Sequence, residues 1–146
     1  MALISPSPVR AVPPRTIFDE EREMNERAKK EFENARNDAL RAGFEAVHKA
    51  REQLDDLQAL IEDENWGGVR QFTRLFNNSV EREGMEAIAS KLPEKSDRMA
   101  ALEVARGMTS SLIQIDRCAL QKDRTKAILG VDEVRKAISR FESFKP

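Results

Sequence analysis

Residues 57–76 read LQALIEDENWGGVRQFTRLF, and how this stretch is interpreted decides the fold. Apolar residues step at helical spacing up to it, and a second stripe leaves it through Val69, Phe72, Phe76 and Val80. Between the two stripes, Gly67 and Gly68 each weaken a helix by about 1 kcal/mol relative to alanine. Trp66, the only tryptophan, offers a large ring to fill the space under a helix–helix corner. Acidic Glu62-Asp63-Glu64 precedes the glycines, and Arg70 and Arg74 follow them. The expected structure is a reversal of direction between two antiparallel helices.

Working outward towards the N-terminus, Phe32, Ala35, Ala39, Ala42, Ala46, Ala50, Leu54, Leu57 and Ile61 step by threes and fours, with Phe44 and Val47 widening the stripe. One helix over residues 19–62 would span about 65 Å at a rise of about 1.5 Å per residue. That is long for one bundle, so a break, or an N-terminal part extending beyond the core, is expected. Towards the C-terminus a second helix is expected over about residues 68–91, with a weak point at Glu83-Gly84 and a stop at Pro93. Ser96 reads as the cap of a third helix, from residue 97 to 121, whose stripe is Met99, Leu102, Ala105, Met108, Leu112, Ile115 and Ala119. After a turn at Lys122–Thr125, a fourth helix over residues 126–144 buries Ile128, Val131, Val134, Ile138 and Phe141. The expected fold class is all-α: an up-down-up-down four-helix bundle over residues 19–146.

Residues 1–18 form the other expected division, an extended arm carrying Pro6, Pro8, Pro13 and Pro14 with Arg10 and Arg15. Its first 17 residues lack the apolar core of a secretory signal, and they are too short and serine-poor for a whole transit peptide. Any targeting sequence is expected to have been removed already.

Composition narrows the function. Charged residues make up 35% and aromatics 5%, which suits long amphipathic helices. A formal net charge of -1 argues against general nucleic-acid binding, which needs a basic surplus. The longest apolar runs are a few residues, too short to span a membrane. Cys118 is the single cysteine and cannot form an internal disulfide; without a histidine near it in sequence it reads as a small core residue rather than a nucleophile. His48, the single histidine, reads as a surface or half-buried residue, because a ligand site needs several convergent groups. No catalytic residue, cofactor or metal is expected. Between Arg51 and Arg70 the charges are all acidic, including Asp55, Asp56 and Glu62; their spacing matches no calcium loop. They read as a solvated helix end that would favour a basic partner surface.

Two pieces of the chain carry a resemblance: Trp66 followed by Val69-Arg70, and the run Leu112-Ile113-Gln114-Ile115-Asp116-Arg117-Cys118-Ala119 with Lys122-Asp123 and Ala127 beyond it. With the proline-bearing tail and four helices, the chain resembles the PsbQ-like extrinsic proteins of photosystem II, including the four-helix lumenal subunits of algae. The resemblance covers about residues 35–144. It departs from the family in lacking tyrosine and in carrying Leu129-Gly130 where plant members have aromatic residues. It implies a non-catalytic subunit on the lumenal side of the chloroplast thylakoid membrane, a monomer within a larger complex. Its partners would be photosystem II lumenal subunits and other extrinsic proteins, and it would help the oxygen-evolving complex keep its calcium and chloride. Trp66, Arg70 and Asp116 map onto the family pattern as architectural residues. Arg10 and Arg15 would meet acidic groups on the lumenal subunits, with Asp55, Asp56 and Glu62 as the other expected docking surface. The competing readings are a helical adaptor unrelated to photosynthesis, using its charged first helix for pairing, and a pigment- or metal-binding bundle using His48.

Overall fold

Asn65 fixes the corner from which the fold was read. Its side-chain Oδ1 accepts the Gly68 backbone N–H at 3.1 Å, capping a helix that begins at Trp66. Glu64, just before it, takes a left-handed conformation at φ 56° and turns the chain. The reversal therefore lies at Asp63–Asn65, and both glycines fall inside the first turn of the next helix, not in the turn itself. Gly68 is needed for close approach: a β-carbon there would sit 3.0 Å from Asn65 Cγ and crowd the cap, whereas one on Gly67 would meet nothing within 4 Å. Gly67→Ala is accordingly expected to stabilise the protein by up to about 1 kcal/mol, and Gly68→Ala to forfeit that gain through the cap. Thermal melts of the two variants, shifting in the same direction by the same amount, would remove this distinction.

The computed structural model describes residues 16–146, and among them every regular element is helical. In chain order these are α1 (Ile17–Ala50), α2 (Gln53–Glu62), α3 (Trp66–Phe76), a π-helical segment (Asn77–Glu86), α4 (Ala87–Ser90), α5 (Lys95–Gln121) and α6 (Arg124–Glu142). Contacts divide the chain between Asn34 and Ala35, inside α1. Arg10, Arg15 and the prolines of the expected arm lie outside the described residues.

In the N-terminal unit, Thr16 and Asp19 cap α1 reciprocally: the Asp19 N–H donates to Thr16 Oγ1 at 3.3 Å and the Thr16 N–H to Asp19 Oδ2 at 3.2 Å. The segment is solvated, with Ile17, Phe18, Met24 and Phe32 all exposed. The expected burial of Phe32 is therefore incorrect.

In the unit from residue 35 onward, four helical stretches pack: α1–α2, α3 through α4, α5, and α6. Helix α2 contacts α3 and α6, and α5 contacts α3, the π segment, α4 and, most extensively, α6. The first helix does break, at Arg51-Glu52. There the Glu52 N–H bonds the Lys49 carbonyl and the Asp55 N–H the Glu52 carbonyl, three residues back, so one turn is tightened. The buried line of α1 is Leu40, Phe44, Val47 and Ala50, while the expected Ala35, Ala39, Ala42 and Ala46 are exposed. The larger side chains win because they remove more apolar area from water. Below the break the stripe continues through Leu54, Leu57 and Ile61, as its spacing predicts. Phe44 meets Phe141 of α6 with ring centroids 5.3 Å apart.

Helix α5 starts at Lys95, preceded by Glu94 with no side-chain cap, so Ser96 is a first-turn residue and not the cap. Arg98 instead holds the preceding loop, donating to the carbonyls of Leu92 and Pro93, each at 2.8 Å. Met99 is exposed in this first turn, against expectation, whereas Ala105, Met108, Leu112, Ile115 and Ala119 are buried. Lys122 ends α5 in a left-handed conformation at φ 54°, and Asp123 caps α6 by accepting the Lys126 N–H at 3.1 Å. The fourth helix thus starts two residues before the sequence suggested. Along α6, Gly130 lets Ile115 of α5 come close: a β-carbon at Gly130 would lie 2.6 Å from Ile115 Cγ1.

The largest departure from expectation is the ten-residue π segment. The sequence marked Glu83-Gly84 as weak, and both residues fall within it. Its i→i+5 bonding replaces the ordinary helix from Asn77 to Glu86, far beyond the single turn in which π geometry usually occurs.

Candidate functional site

Arg70 and Asp116 come together where α3 begins and α5 nears its end, and Trp66 opens α3 one turn before Arg70. Trp66 is half-buried against the core. One turn on, Arg70 Nε donates to Asp116 Oδ1 at 3.1 Å, tying α3 to α5. Both side chains keep about a third or a quarter of their surface in water (36% and 26%), so the pair contributes orientation more than stability.

The acidic surface is built on α2 and the corner after it. Asp55, Asp56 and Glu62 are exposed, and Asp63 and Glu64 extend the run. The members are not equivalent. Asp55 Oδ1 accepts from Arg135 Nη2 of α6 at 3.0 Å, while Arg135 Nη1 reaches Gln58 Oε1 at 2.9 Å and Asp132 Oδ1 at 3.2 Å. Glu62 accepts from Gln58 Nε2 at 3.2 Å. Arg135 was not singled out in the sequence. Nothing in a linear reading links it to residues 77 and 80 positions earlier, and its i,i+3 partner Asp132 gives only a local reason for its charge.

His48 bonds through Nδ1 to Glu142 Oε1 of α6 at 2.9 Å and remains largely exposed. Cys118 is fully buried; desolvation pushes its thiol up, Asp123 adds to this, and Lys126 and a bond to Gln114 act the other way. A buried, protonated thiol is a poor nucleophile. Among the described residues no group of histidine, cysteine and carboxylate side chains is arranged to hold a metal ion, and no helix is long and apolar enough to cross a membrane.

Two further features were not legible in the sequence. A cleft of about 350 Å³ lies between α1 and the π segment with α4, lined by small residues including Ala39, Gly43, Ala46, Ser79 and Gly84. Glu81, on the π segment, is only 3% exposed. Desolvation raises its proton affinity most and the neighbouring Glu86 carboxyl raises it further, while Thr109 of α5 and the Arg82 charge act the other way.

Comparison with known proteins adds two findings. A family model described as PsbQ, oxygen evolving enhancer protein 3, matches residues 2–143. No curated protein matches the chain.

Proposed function

The chain belongs to the PsbQ family of extrinsic photosystem II oxygen-evolving enhancer proteins, and from that premise we propose that it docks on the lumenal face of photosystem II. There it helps hold the oxygen-evolving complex together and retain its calcium and chloride. The family is one of structural subunits and not of enzymes. The match over residues 2–143 carries this reading. In it, the chain is a monomer within the larger complex, peripheral to the membrane in the chloroplast thylakoid lumen, touching lumenal subunits and other extrinsic proteins. Its helices run up-down-up-down, an order that suits the contacts of α2 with α3 and α6, and of α5 with the same two. Trp66, Arg70 and Asp116 serve the architecture that presents the docking surfaces.

Two surfaces are proposed to make the contact. Residues 1–15 act as an extended arm, its prolines limiting the entropy lost on docking, with Arg10 and Arg15 meeting acidic groups of the partner. The acidic corner offers Asp56 and Glu62 to basic groups, while Asp55 is already engaged by Arg135 and contributes less.

The test is rebinding to salt-washed oxygen-evolving membranes over a salt series. The wild-type chain is expected to rebind, to be released as salt rises, and to restore oxygen evolution at limiting calcium and chloride. Removal of residues 1–15 is expected to weaken rebinding while leaving the thermal melt unchanged. Asp56→Asn with Glu62→Gln measures the share of the acidic corner. A chain that melts normally but never rebinds would overturn the proposal and favour a helical adaptor acting elsewhere.

A further inference from the structure

The alanine stripe expected in the core lies on the outside of α1. Phe32, Ala35, Ala39, Ala42 and Ala46 are all exposed, while Leu40, Phe44 and Val47 are buried on another side of the same helix. The exposed residues step by three, four, three and four, which averages 3.5. That is the repeat that keeps one apolar seam against a second helix along its whole length. The seam opens earlier, at Asn25 and Ala28, and so runs for three heptads; Glu21 interrupts it on one side and Lys49 ends it on the other.

Leaving this face in water has a cost. Phe32 is 68% exposed, and residues 20–35 are exposed without exception. Helices draw most of their stability from packing an amphipathic face, and this half of α1 packs none.

The charges beside the seam say what would cover it. Directly after Ala28 and Ala35 come Lys29 and Arg36, so one edge is basic. Directly before Phe32, Ala39 and Ala46 come Glu31, Asp38 and Glu45, so the other edge is acidic. Two such helices laid parallel bring the acidic edge of one to the basic edge of the other, with Glu31 meeting Arg36 of the second chain. Laid antiparallel, they would set acid on acid and base on base. Asn25 falls in the same seam row as Phe32 and Ala39, where an asparagine pairs with its own copy and fixes the register.

We propose that the free chain pairs with a second copy of itself through this face of α1, as a parallel two-stranded coiled coil. Alanines let the two backbones approach closely but bury little apolar area, so the pair is weak and reversible. A chain released from it can enter a larger complex singly. The inference does not depend on docking to photosystem II.

The experiment is sedimentation equilibrium of the full chain from about 1 μM to about 1 mM. The mass is expected to climb from one chain towards two, and to fall back on dilution. Phe32→Glu puts a charge into the seam on a side chain that the fold leaves exposed. It is expected to raise the dissociation constant at least about tenfold while the thermal melt stays unchanged. Glu31→Arg alone and Arg36→Glu alone are each expected to weaken pairing. An equimolar mixture of the two is expected to restore it, because each chain supplies the charge that the other has lost. A one-chain mass throughout, or pairing that Phe32→Glu leaves intact, would overturn the proposal. Charge variants that do not recover on mixing would overturn its parallel direction. The wild-type series and Phe32→Glu decide the question even if Arg36→Glu fails to fold.

Discussion

Phe141→Ala is expected to cost about 3–5 kcal/mol, a large part of the 5–15 or so that holds a domain of this size together. The ring is fully buried on α6 and tilted against Phe44 of α1, 5.3 Å away. That contact helps secure the C-terminal part of α1, whose buried line is Leu40, Phe44, Val47 and Ala50. Truncation opens a cavity between two helices, and helices of this length relax only partly into it. Chemical denaturation of Phe141→Ala, Phe44→Ala and the double variant measures the effect. The pair itself should show a coupling of about 0.5–1.5 kcal/mol beyond the area it buries. Additive losses, or a single loss below about 1 kcal/mol, would mean that α1 is anchored by something other than this ring pair.

Leu112→Ala should cost about 2–5 kcal/mol, and its neighbour Ile113→Ala no more than about 0.5. The two positions differ by one step around α5, yet Leu112 is 2% exposed and Ile113 49%. Equal losses in a paired denaturant titration would show that α5 is turned on its axis. The comparison also checks the neighbouring packing, since Met108 and Ile115 stand on the same buried side as Leu112.

Much of this arrangement was legible because burial on α5 and α6 repeats with the helical period. Ala105, Met108, Leu112, Ile115 and Ala119 could be read off the spacing, as could Val131, Val134, Ile138 and Phe141. Met99 broke the pattern because periodicity cannot tell whether a partner extends as far as the first turn. On α1 the spacing was read as a stripe of alanines widened by Phe44 and Val47, but side-chain size put Leu40, Phe44 and Val47 on the buried side. The corner was located only to within a few residues, since glycines at 67 and 68 suggested a turn that Glu64 in fact makes.

The site was less legible, for a different reason. Arg70 and Asp116 were both singled out, but a spacing of 46 residues gives no hint that they touch. Arg135, which joins α6 to Asp55 and Gln58, looks like any charge on an exposed face until the helices are assembled. Glu81 was hidden most completely. In a chain where 35% of residues are charged, one more glutamate marks nothing, and a search at 3.6 residues per turn cannot register a segment wound differently.

Cys118 turns the packing of α5 into a clock. Sealed and protonated in the core, its sulfur meets an alkylating reagent only when the chain opens around it. The pace of labelling therefore counts openings, and a single cysteine makes each count unambiguous. No probe need be attached, so the same reading can be taken from the free chain and from the chain within a complex.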